Sequence, residues 1–378
     1  MSAVADVAST LSFKALDWGL VPRPVLHAAC RGRVAKRLRV ERRGTPDERS
    51  ERFRALVTEL RAGDVTTHTT EANDQHYEVP TRFFEAVLGR HLKYSSCYFP
   101  PGVDDLEVAE EAMLELYGTR ARLADGQRIL ELGCGWGSFT LWAAARYPDA
   151  EIVALSNSRT QREHIEKQAA NRGLPNIHVI TTEVSTFDPA AFGEGHPFDR
   201  VVSVEMLEHV RDHATIFERI STWLADDGLF FTHVFSGRDV CFRYDADDSR
   251  DWMARHFFSG GLMPSDDLFL HLQDDLAVVD HWFLGGEHYH RTALAWLDNL
   301  EAHRAELDTM VGKVAVRRWR AFFAGCAALW GHNDGQDFGV SHYVFQPRRP
   351  PAPDVESEAS GAEARDEDVG VLRAVGVV

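Results

Sequence analysis

The stretch "ILELGCGWGSFTLWAAARYPDAEIVALSNS", Ile129 to Ser158, places three alternate glycines between two short apolar runs. "RILELG" predicts a strand, "SFTLWAAARY" predicts a helix and "EIVALS" predicts a second strand. Glycines at alternate positions let the backbone pass close to a ligand and adopt positive φ values that other residues resist. The stretch therefore predicts the first strand-helix-strand unit of a sheet, with a ligand-binding turn at its edge.

The middle of the chain repeats this alternation. "REHIEKQAANRG" predicts a helix and "IHVITTE" a third strand, while "FDRVVSVEML" and "GLFFTHVF" predict two later strands. Strands that alternate with helices are typical of an α/β fold, in which a doubly wound parallel sheet is covered by helices on both faces. Ligands bind such sheets at the carboxyl ends of the strands, where the winding reverses. The three glycines lie at that edge.

Composition narrows the class of protein. The chain has 378 residues, 44% of them hydrophobic, which is enough for one large core and an accessory subdomain. A net charge of -17 argues against a nucleic-acid partner. The five cysteines show no CxxC spacing, so we expect neither a metal site nor a disulfide framework. No apolar run reaches membrane-spanning length and "MSAVADVAST" lacks the order of a signal peptide, which predicts a cytoplasmic location.

The sequence also predicts three regions. Residues 1–72 form an N-terminal region with helices to about Leu60, residues 73–346 form the main domain, and residues 347–378, rich in Pro, Ala, Glu and Asp, form a disordered tail. In the first region, Arg31 to Arg43 ("RGRVAKRLRVERR") is strongly basic. This segment is either a solvated helix face or a peripheral contact with an anionic membrane surface. Nothing in the sequence indicates the oligomeric state.

Glu131-Leu-Gly133-Cys-Gly135-Trp-Gly137 resembles motif I of the class I S-adenosylmethionine (SAM) methyltransferases. The resemblance implies a Rossmann-like sheet with SAM as the cofactor, bound beside Glu131, Gly133, Gly135 and Gly137. An ordinary strand-to-helix turn is the alternative explanation of the glycines.

The end of the second predicted strand departs from the usual pattern. Many related sheets place an acidic residue there to bind the ribose hydroxyls. Here the polar residues in its place are Asn157, Ser158 and Gln161, which we expect near the cofactor. Ser158 is equally well explained as the N-cap of the next helix.

Further motifs extend the resemblance from residue 73 to residue 346. "NDQHYEVPTRFFEAVLGRHLKYSSCYF", "DWMARHFFSGGLMPS" and "DHWFLGGEHYHRT" resemble the cyclopropane fatty acid synthases and, more closely, their relatives the coclaurine-type N-methyltransferases. The family pattern implies that Tyr94 and Ser95 contact the cofactor and that Glu183 lies at its adenine end. A Trp-, Phe- and His-rich segment within residues 238–300 predicts an α-rich insertion that covers the substrate.

"VEMLEHV" places Glu205, Glu208 and His209 just after a predicted strand, beside the cofactor edge. Charged residues in such a position are solvated, paired or functional. In the N-methyltransferase relatives, this Glu-x-x-Glu-His arrangement implies binding and deprotonation of a substrate amine. An ammonium has no lone pair, so a carboxylate or imidazole must remove its proton before the nitrogen attacks a methyl group. The alternative is a solvated loop with a local His-Glu pair.

The cyclopropane synthases imply a different base. In that family a glutamate, a histidine, a tyrosine and a cysteine hold a bicarbonate ion; Glu208, His233 and Tyr289 match the first three, and Ser96 replaces the cysteine. Taken singly, His233 and Tyr289 are equally typical of buried core residues.

From the closer resemblance and the Ser96 replacement, we predict SAM-dependent methylation of an amine nitrogen on a lipophilic small molecule. The alternative is methyl or methylene transfer to an unsaturated lipid acyl chain, with bicarbonate as a second cofactor.

Overall fold

The structure is a computed structural model that describes residues 13–62, 79–193, 195–244, 252–258 and 260–348. Residues 73–78 of the first family motif lie outside this set, as do residues 349–378 of the predicted tail. Across the described ranges, no helix is both long and apolar enough to cross a lipid bilayer.

Along the described residues, helices precede the first strand, strands and helices alternate in the middle of the chain, and three consecutive α-helices separate the last two strands. The helices are α1 (Arg23–Glu41), α2 (Pro46–Leu60), α3 (Thr81–Val87), α4 (Leu106–Arg120), α5 (Ser138–Arg146), α6 (Arg159–Arg172), α7 (His213–Trp223), α8 (Trp252–His256), α9 (Glu287–Ala302), α10 (Arg304–Val311) and α11 (Lys313–Trp330). The strands are β1 (Arg128–Leu132), β2 (Glu151–Ser156), β3 (Ile177–Thr181), β4 (Phe198–Val204), β5 (Leu224–Gly237), β6 (Phe242–Arg243), β7 (Leu262–Met263), β8 (Leu276–Gly285) and β9 (Phe338–Pro347).

Seven of these strands form one sheet in the order β3-β2-β1-β4-β5-β9-β8. The five predicted strands are confirmed, and all five run parallel. β9 pairs antiparallel with β5, and β8 pairs antiparallel with β9 at the sheet edge, so the sheet is mixed rather than wholly parallel. The sequence pattern did not predict either added strand, because β8 carries Asp280 and His281 within its apolar run and β9 follows a long helical segment.

The two faces of the sheet pack against different helices. On β1, Ile129 packs in a core with residues of α4 and α5, whereas its neighbour Leu130 packs in a core with residues of α7. On β5, Phe231 and Phe230 divide between the same two cores. Successive side chains of a strand point to opposite faces. The prediction of a sheet covered by helices on both faces is therefore confirmed.

A third core lies among helices α1, α3, α9 and α11. Its buried positions on α9 recur every three or four residues, from Tyr289 through Trp296 to Leu300, as expected of a helix with one apolar face. On α11, Phe323 packs against Trp296 with ring centroids 5.7 Å apart. This helical layer brings Tyr289 to the same edge of the sheet as the glycine turn.

The basic N-terminal segment lies on α1 and the turn that follows it. Arg42 bonds to Asp239 at 2.7 Å and to Asp337 at 2.5 Å, which joins this segment to the loop after β5 and to the residue before β9. Other basic side chains of the segment are exposed, namely Arg31, Arg33, Lys36, Arg39 and Arg43. The segment thus combines an anchored residue with an exposed cationic surface.

Candidate active site

The turn between β1 and α5 requires glycine at three positions. Gly133, Gly135 and Gly137 have positive φ values of 77°, 52° and 80°. A Cβ on Gly133 would lie 2.8 Å from Met206 Cγ, and one on Gly137 would lie 2.6 Å from Ile165 Cγ1. A Cβ on Gly135 would meet open space, so this position requires only the left-handed backbone. The turn therefore exposes backbone at the edge of the sheet.

A cavity opens beside this turn. Its lining includes six of the predicted cofactor residues, which are Tyr94, Ser95, Glu131, Gly133, Gly135 and Gln161. Glu205, a predicted catalytic residue, lines the same cavity. The candidate cofactor site and the candidate base thus share one space.

Four predicted cofactor residues are absent from the lining of that cavity. Gly137 precedes the first residue of α5, and the Ser158 side chain caps the N-terminus of α6. Asn157 is exposed, and Glu183 is half-buried and accepts a hydrogen bond from Ser185 at 3.3 Å. Asn157, Ser158 and Glu183 follow β2 and β3, so their contact with a cofactor remains a prediction.

Gln161 is the best candidate donor for a ligand in this cavity. Its side chain is buried, and its Oε1 accepts a hydrogen bond from Ser156 at 2.7 Å. Its Nε2 has no hydrogen-bond partner among the residues that the structure describes. A buried donor is costly to leave unpaired, so a bound ligand would satisfy it.

Glu131 is the acidic residue of motif I and is fully buried. It accepts a hydrogen bond from the Thr140 hydroxyl in α5, which ties the strand to the helix after the glycine turn. Burial raises the pKa of Glu131 to about 7, against the opposing effect of the Thr140 hydrogen bonds. Tyr94, another lining residue of the cavity, packs its ring against Phe84 and Trp296 with centroids 5.5 Å away in each case.

Glu205 receives hydrogen bonds from three separate segments of the chain. Its backbone has a left-handed φ of 47°, which is uncommon for a residue with a side chain. Its Oε1 accepts from Ser96 N at 2.9 Å and lies 3.0 Å from His233 Nε2, while its Oε2 accepts from the Tyr289 hydroxyl at 2.7 Å. Strained backbone of this kind persists where the surroundings over-determine it, often at functional sites.

These donors oppose the cost of burying the Glu205 carboxylate. Burial raises the pKa of Glu205, whereas Lys93, the Ser96 N–H and the Tyr289 hydroxyl lower it. Burial also holds the pKa of His233 well below its ordinary value, so its imidazole is neutral. Burial and the charge of Glu205 hold the pKa of Tyr289 well above its ordinary value, so its hydroxyl keeps the proton. Glu205 is therefore a base surrounded by neutral donors.

Glu208 is a buried carboxyl with fewer hydrogen-bond donors than Glu205. Its Oε1 accepts from Phe235 N at 2.8 Å, and its Oε2 has no partner within the described ranges. Burial and the charge of Glu205 raise the pKa of Glu208 well above its ordinary value. Because only Glu205 has several donors, Glu205 carries the charge of the pair and Glu208 carries the proton.

An arc of aromatic rings joins His209 to Tyr289. His209 packs against Phe258 with ring centroids 4.7 Å apart, and Phe258 packs against Phe235 at 5.6 Å. Trp330 continues the arc, 5.6 Å from Phe235 and stacked on Tyr289 at 4.5 Å. We call these five residues the aromatic arc. A flat apolar molecule that reached the base through this arc would contact ring faces and edges.

The bicarbonate arrangement implied by the cyclopropane synthases differs from the one observed. His233 and Tyr289 contact Glu205, whereas Glu208 accepts from a backbone N–H elsewhere. Ser96, in the place of the family cysteine, contacts Glu205 through its backbone N–H, and its hydroxyl bonds to a backbone carbonyl. A carboxylate of the chain thus accepts the hydrogen bonds of three groups implied to hold bicarbonate.

Several residues of the site were not predicted from the sequence. Lys93 is 1% exposed, donates to Ser95 Oγ at 2.5 Å and has its pKa lowered by burial. Tyr117 Oη and His342 Nε2 lie 2.7 Å and 2.9 Å from His233 Nδ1. Lys93 directly precedes the predicted "YSS" motif, which is a local signal. Tyr117 and His342 lie on α4 and β9, away from the site motifs in the sequence, so no local sequence signal indicated them.

Comparison with known proteins shows which family the chain belongs to. The family model described as mycolic acid cyclopropane synthetase matches residues 65–337. (S)-coclaurine N-methyltransferase of Thalictrum flavum subsp. glaucum is 33% identical over 345 residues, which cover 88% of this chain and 94% of the relative. Cyclopropane-fatty-acyl-phospholipid synthase of Escherichia coli (strain K12) is 25% identical over 264 residues, which cover 69% of this chain and 65% of the relative.

A solved structure extends the similarity to three dimensions. The crystal structure of coclaurine N-methyltransferase bound to N-methylheliamine and SAH superposes with a TM-score of 0.85 at 33% identity, covering 90% of this chain and 99% of the other. The family match spans more than half of the sequence, and the matched residues include the glycine turn and the Glu205 site. The chain belongs to the mycolic acid cyclopropane synthetase family and is a SAM-dependent methyltransferase.

Proposed function

We propose that this protein transfers the methyl group of SAM to the nitrogen of a lipophilic, ring-bearing amine, with Glu205 as the base. The observation that carries the proposal is the Glu205 carboxylate at the edge of the cofactor cavity, with its side chain 10% exposed and held by Ser96, His233 and Tyr289. Similarity to (S)-coclaurine N-methyltransferase supports the class of acceptor.

The residues around the cavity have the types of chemical group that could bind SAM. Tyr94, Ser95 and Gln161 offer hydrogen-bonding groups, and Gly133 and Gly135 offer backbone without a side chain. When bound, SAM supplies an electrophilic methyl group on a sulfonium. Asn157, Ser158 and Glu183 extend the proposed site toward the ribose and adenine, because they follow β2 and β3.

The proposed chemistry begins with a proton. The substrate arrives as an ammonium, which the charge of Glu205 attracts, and the carboxylate accepts one N–H proton from it. With SAM bound, the nitrogen lone pair would attack its methyl carbon, so that a C–N bond would form as the C–S bond breaks and S-adenosylhomocysteine leaves. The hydrogen bonds from His233 and Tyr289 keep the carboxylate oriented, and the proton on Glu208 avoids a second buried charge beside it. The aromatic arc, which begins at His209, contacts the ring system of the substrate.

The same contacts argue against a bicarbonate ion. Bicarbonate in a cyclopropane synthase-like cage needs donors from histidine, tyrosine and the "YSS" segment. Here the Glu205 carboxylate accepts from all three, and one N–H cannot serve two anions well at once. We therefore propose SAM alone as the cofactor. The acyl-chain alternative, supported by the more distant synthase relative, would require Glu205 itself to act as the base that closes the ring.

The experiment incubates purified protein with methyl-labelled SAM and two separate acceptor pools, coclaurine with simpler aromatic amines, and a lipid extract. We expect label on an amine nitrogen, with loss of transfer in Glu205→Gln and normal transfer in the exposed control Glu218→Gln. Label that is found as a methylene or methyl group on an acyl chain would overturn the proposal. If Glu205→Gln still labels the amine, the protein is an amine methyltransferase, but Glu205 is not its base.

We also propose a cytoplasmic protein with a peripheral contact at its N-terminal helix. Trp18, Leu20 and Val25 are 63%, 68% and 56% exposed, and they lie just before and in the first turn of α1, the helix that carries the exposed basic residues. Exposed apolar side chains next to cations favour an anionic lipid surface. Co-sedimentation with phosphatidylserine vesicles but not phosphatidylcholine vesicles is expected, and equal binding to both or to neither would reject the contact.

A further inference from the structure

A chain of side chains leads from the base across β5 and β9 to the end of α4. Arg120 Nη1 lies 2.6 Å from His342 Nδ1, and His342 Nε2 lies 2.9 Å from His233 Nδ1. His233 Nε2 in turn lies 3.0 Å from Glu205 Oε1. We propose that Arg120 and His342 are positioning residues that hold His233 as the Nε2–H tautomer, so that it always donates to Glu205. This inference rests on the proposed role of Glu205 as the base.

The direction of each hydrogen bond follows from Arg120. A guanidinium can only donate, so His342 Nδ1 must accept. A neutral imidazole has one N–H, which places the proton of His342 on Nε2, from where it donates to His233 Nδ1. The proton of His233 is then on Nε2, where it points to the carboxylate. One residue that does not deprotonate thus determines the proton positions of two buried rings.

The surroundings of His233 are consistent with this assignment. Both histidines are fully buried, and burial with nearby positive charge holds the pKa of each well below its ordinary value, so both rings are neutral. Lys93 and Arg120 supply the charges that act on His233. The Tyr117 hydroxyl lies 2.7 Å from the same His233 Nδ1 and can donate to it, but a hydroxyl also accepts, so Tyr117 alone does not fix the tautomer.

Arg120 is itself held in place by β8, a strand that the sequence pattern did not predict. It is in the last turn of α4, and its guanidinium carbon lies 4.5 Å from the ring centroid of Trp282 on β8. Burial lowers the pKa of Arg120 to about 10, which leaves it charged at neutral pH. A cation over an indole face is favourable, particularly where it is partly desolvated.

The same directionality means that this chain does not carry protons outward. A proton on Glu205 could leave through His233 only if His342 Nε2 were free to accept, and Arg120 cannot take up a further proton. Arg120 and His342 therefore act only to orient the His233 Nε2–H donor toward Glu205. Without His342 and Arg120, His233 can also adopt the Nδ1–H tautomer. That tautomer would place the lone pair of Nε2 against the Glu205 carboxylate and remove one of the hydrogen bonds that hold the carboxylate in position.

The test compares variants at His342. His342→Phe keeps the ring shape without nitrogens, whereas His342→Gln keeps an acceptor for Arg120 and a donor for His233. The first readout is the tautomer of His233, measured by ¹⁵N NMR of histidine-labelled protein with SAH bound and assigned with His233→Gln. We expect a proton on Nε2 in the wild type and in His342→Gln, and a mixture of tautomers in His342→Phe and Arg120→Met. His271→Gln, at an exposed position, is the control.

The second readout is turnover of the amine. We expect kcat to fall about 10- to 100-fold in His342→Phe and in Arg120→Met, in the range of lost supporting contacts at other sites. The KM for the amine and the Kd for SAH should change little, and His342→Gln should restore most of kcat. A wild-type proton on Nδ1, or a loss of kcat without a change of tautomer, would overturn the inference. The NMR readout needs no acceptor, so it remains decisive even if the amine proposal fails.

Discussion

The phenol of Tyr289 donates to Glu205 Oε2 at 2.7 Å, although 84 positions separate the two residues in the chain. Tyr289 lies in the first turn of α9, in the helical layer, and Glu205 directly follows β4 of the sheet. This hydrogen bond therefore joins the helical layer to the cofactor edge. It favours the ionised form of Glu205 and so lowers the pKa that burial raises.

Tyr289→Phe should shift the pH dependence of catalysis. Loss of the donor raises the pKa of Glu205, and activity is lost as pH falls through that pKa, so the variant should lose activity at a higher pH than the wild type. Hydrogen bonds to charged groups of about 1.5–3 kcal/mol correspond to a shift of about one to two pH units. The low-pH side, or acid limb, of a plot of kcat/KM against pH measures this shift in the pKa of Glu205. Tyr147→Phe is the control, and an unshifted limb would contradict the role of the hydroxyl.

Glu205→Gly should remove the base and leave its donors unpaired. Activity should fall about 10²- to 10⁴-fold, and added formate or bicarbonate should restore part of it by occupying the vacated position. Glycine also adopts the left-handed φ of 47° without strain. Glu205→Gln fills the same space with an amide, so it should be equally inactive but not rescued. Wild-type rates that depend on bicarbonate would contradict this assignment.

The local parts of the site were predictable, and the long-range parts were not. Gly133, Gly135 and Gln161 lie within one strand-turn-helix unit and the strand and helix that follow it, so their approach to the cofactor cavity follows from spacing alone. His342 and His233 meet only because β9 pairs with β5 in antiparallel register, which a single sequence does not specify.

The roles of the two glutamates were also outside the reach of the sequence. Glu205 and Glu208 are three residues apart, and either position suits a base. Glu205 adopts a left-handed backbone that few residues with side chains adopt, and its carboxylate reaches Ser96, His233 and Tyr289. No periodicity or composition signal distinguishes that conformation from an ordinary loop.

Gly137→Ala and Gly135→Ala should separate folding from cofactor binding. At Gly137 a Cβ would meet Ile165 at 2.6 Å and φ is 80°, so overpacking adds to backbone strain. We expect a loss of about 2–4 kcal/mol in the free energy of unfolding. Gly135→Ala carries only the strain, with a loss of about 1–2 kcal/mol, but places a methyl group where a ligand approaches. Thermal unfolding and calorimetric titration with SAH measure the two effects, and equal destabilisation by both variants would show that the Ile165 contact adds nothing to the strain.

Gln161→Leu and Ser158→Ala should distinguish a cofactor contact from a helix cap. Leucine removes the buried Nε2 donor, so the Kd for SAH should rise about tenfold. It also removes the Oε1 acceptor of the Ser156 hydroxyl, so the free energy of unfolding should fall by about 1–3 kcal/mol. Ser158→Ala removes the α6 cap and should lower the free energy of unfolding by about 0.5–2 kcal/mol. Its effect on the Kd for SAH then decides whether the predicted ribose contact exists. Unchanged SAH binding in Gln161→Leu would show that another group satisfies the donor.

Trp330→Leu should reveal whether the aromatic arc selects the substrate. Its indole stacks on Tyr289 with 3° between the ring planes and also contacts Phe235. In the proposed function this part of the aromatic arc contacts the ring system of the substrate. We expect kcat/KM for a benzylisoquinoline-type amine to fall about tenfold, consistent with about 0.5–1.5 kcal/mol for an aromatic contact. An aliphatic cyclic amine such as piperidine should lose much less. Trp18→Leu, at an exposed indole, is the control. An equal loss for both amines would mean that Trp330 acts only by holding Tyr289 against Glu205, and the substrate would then be selected elsewhere.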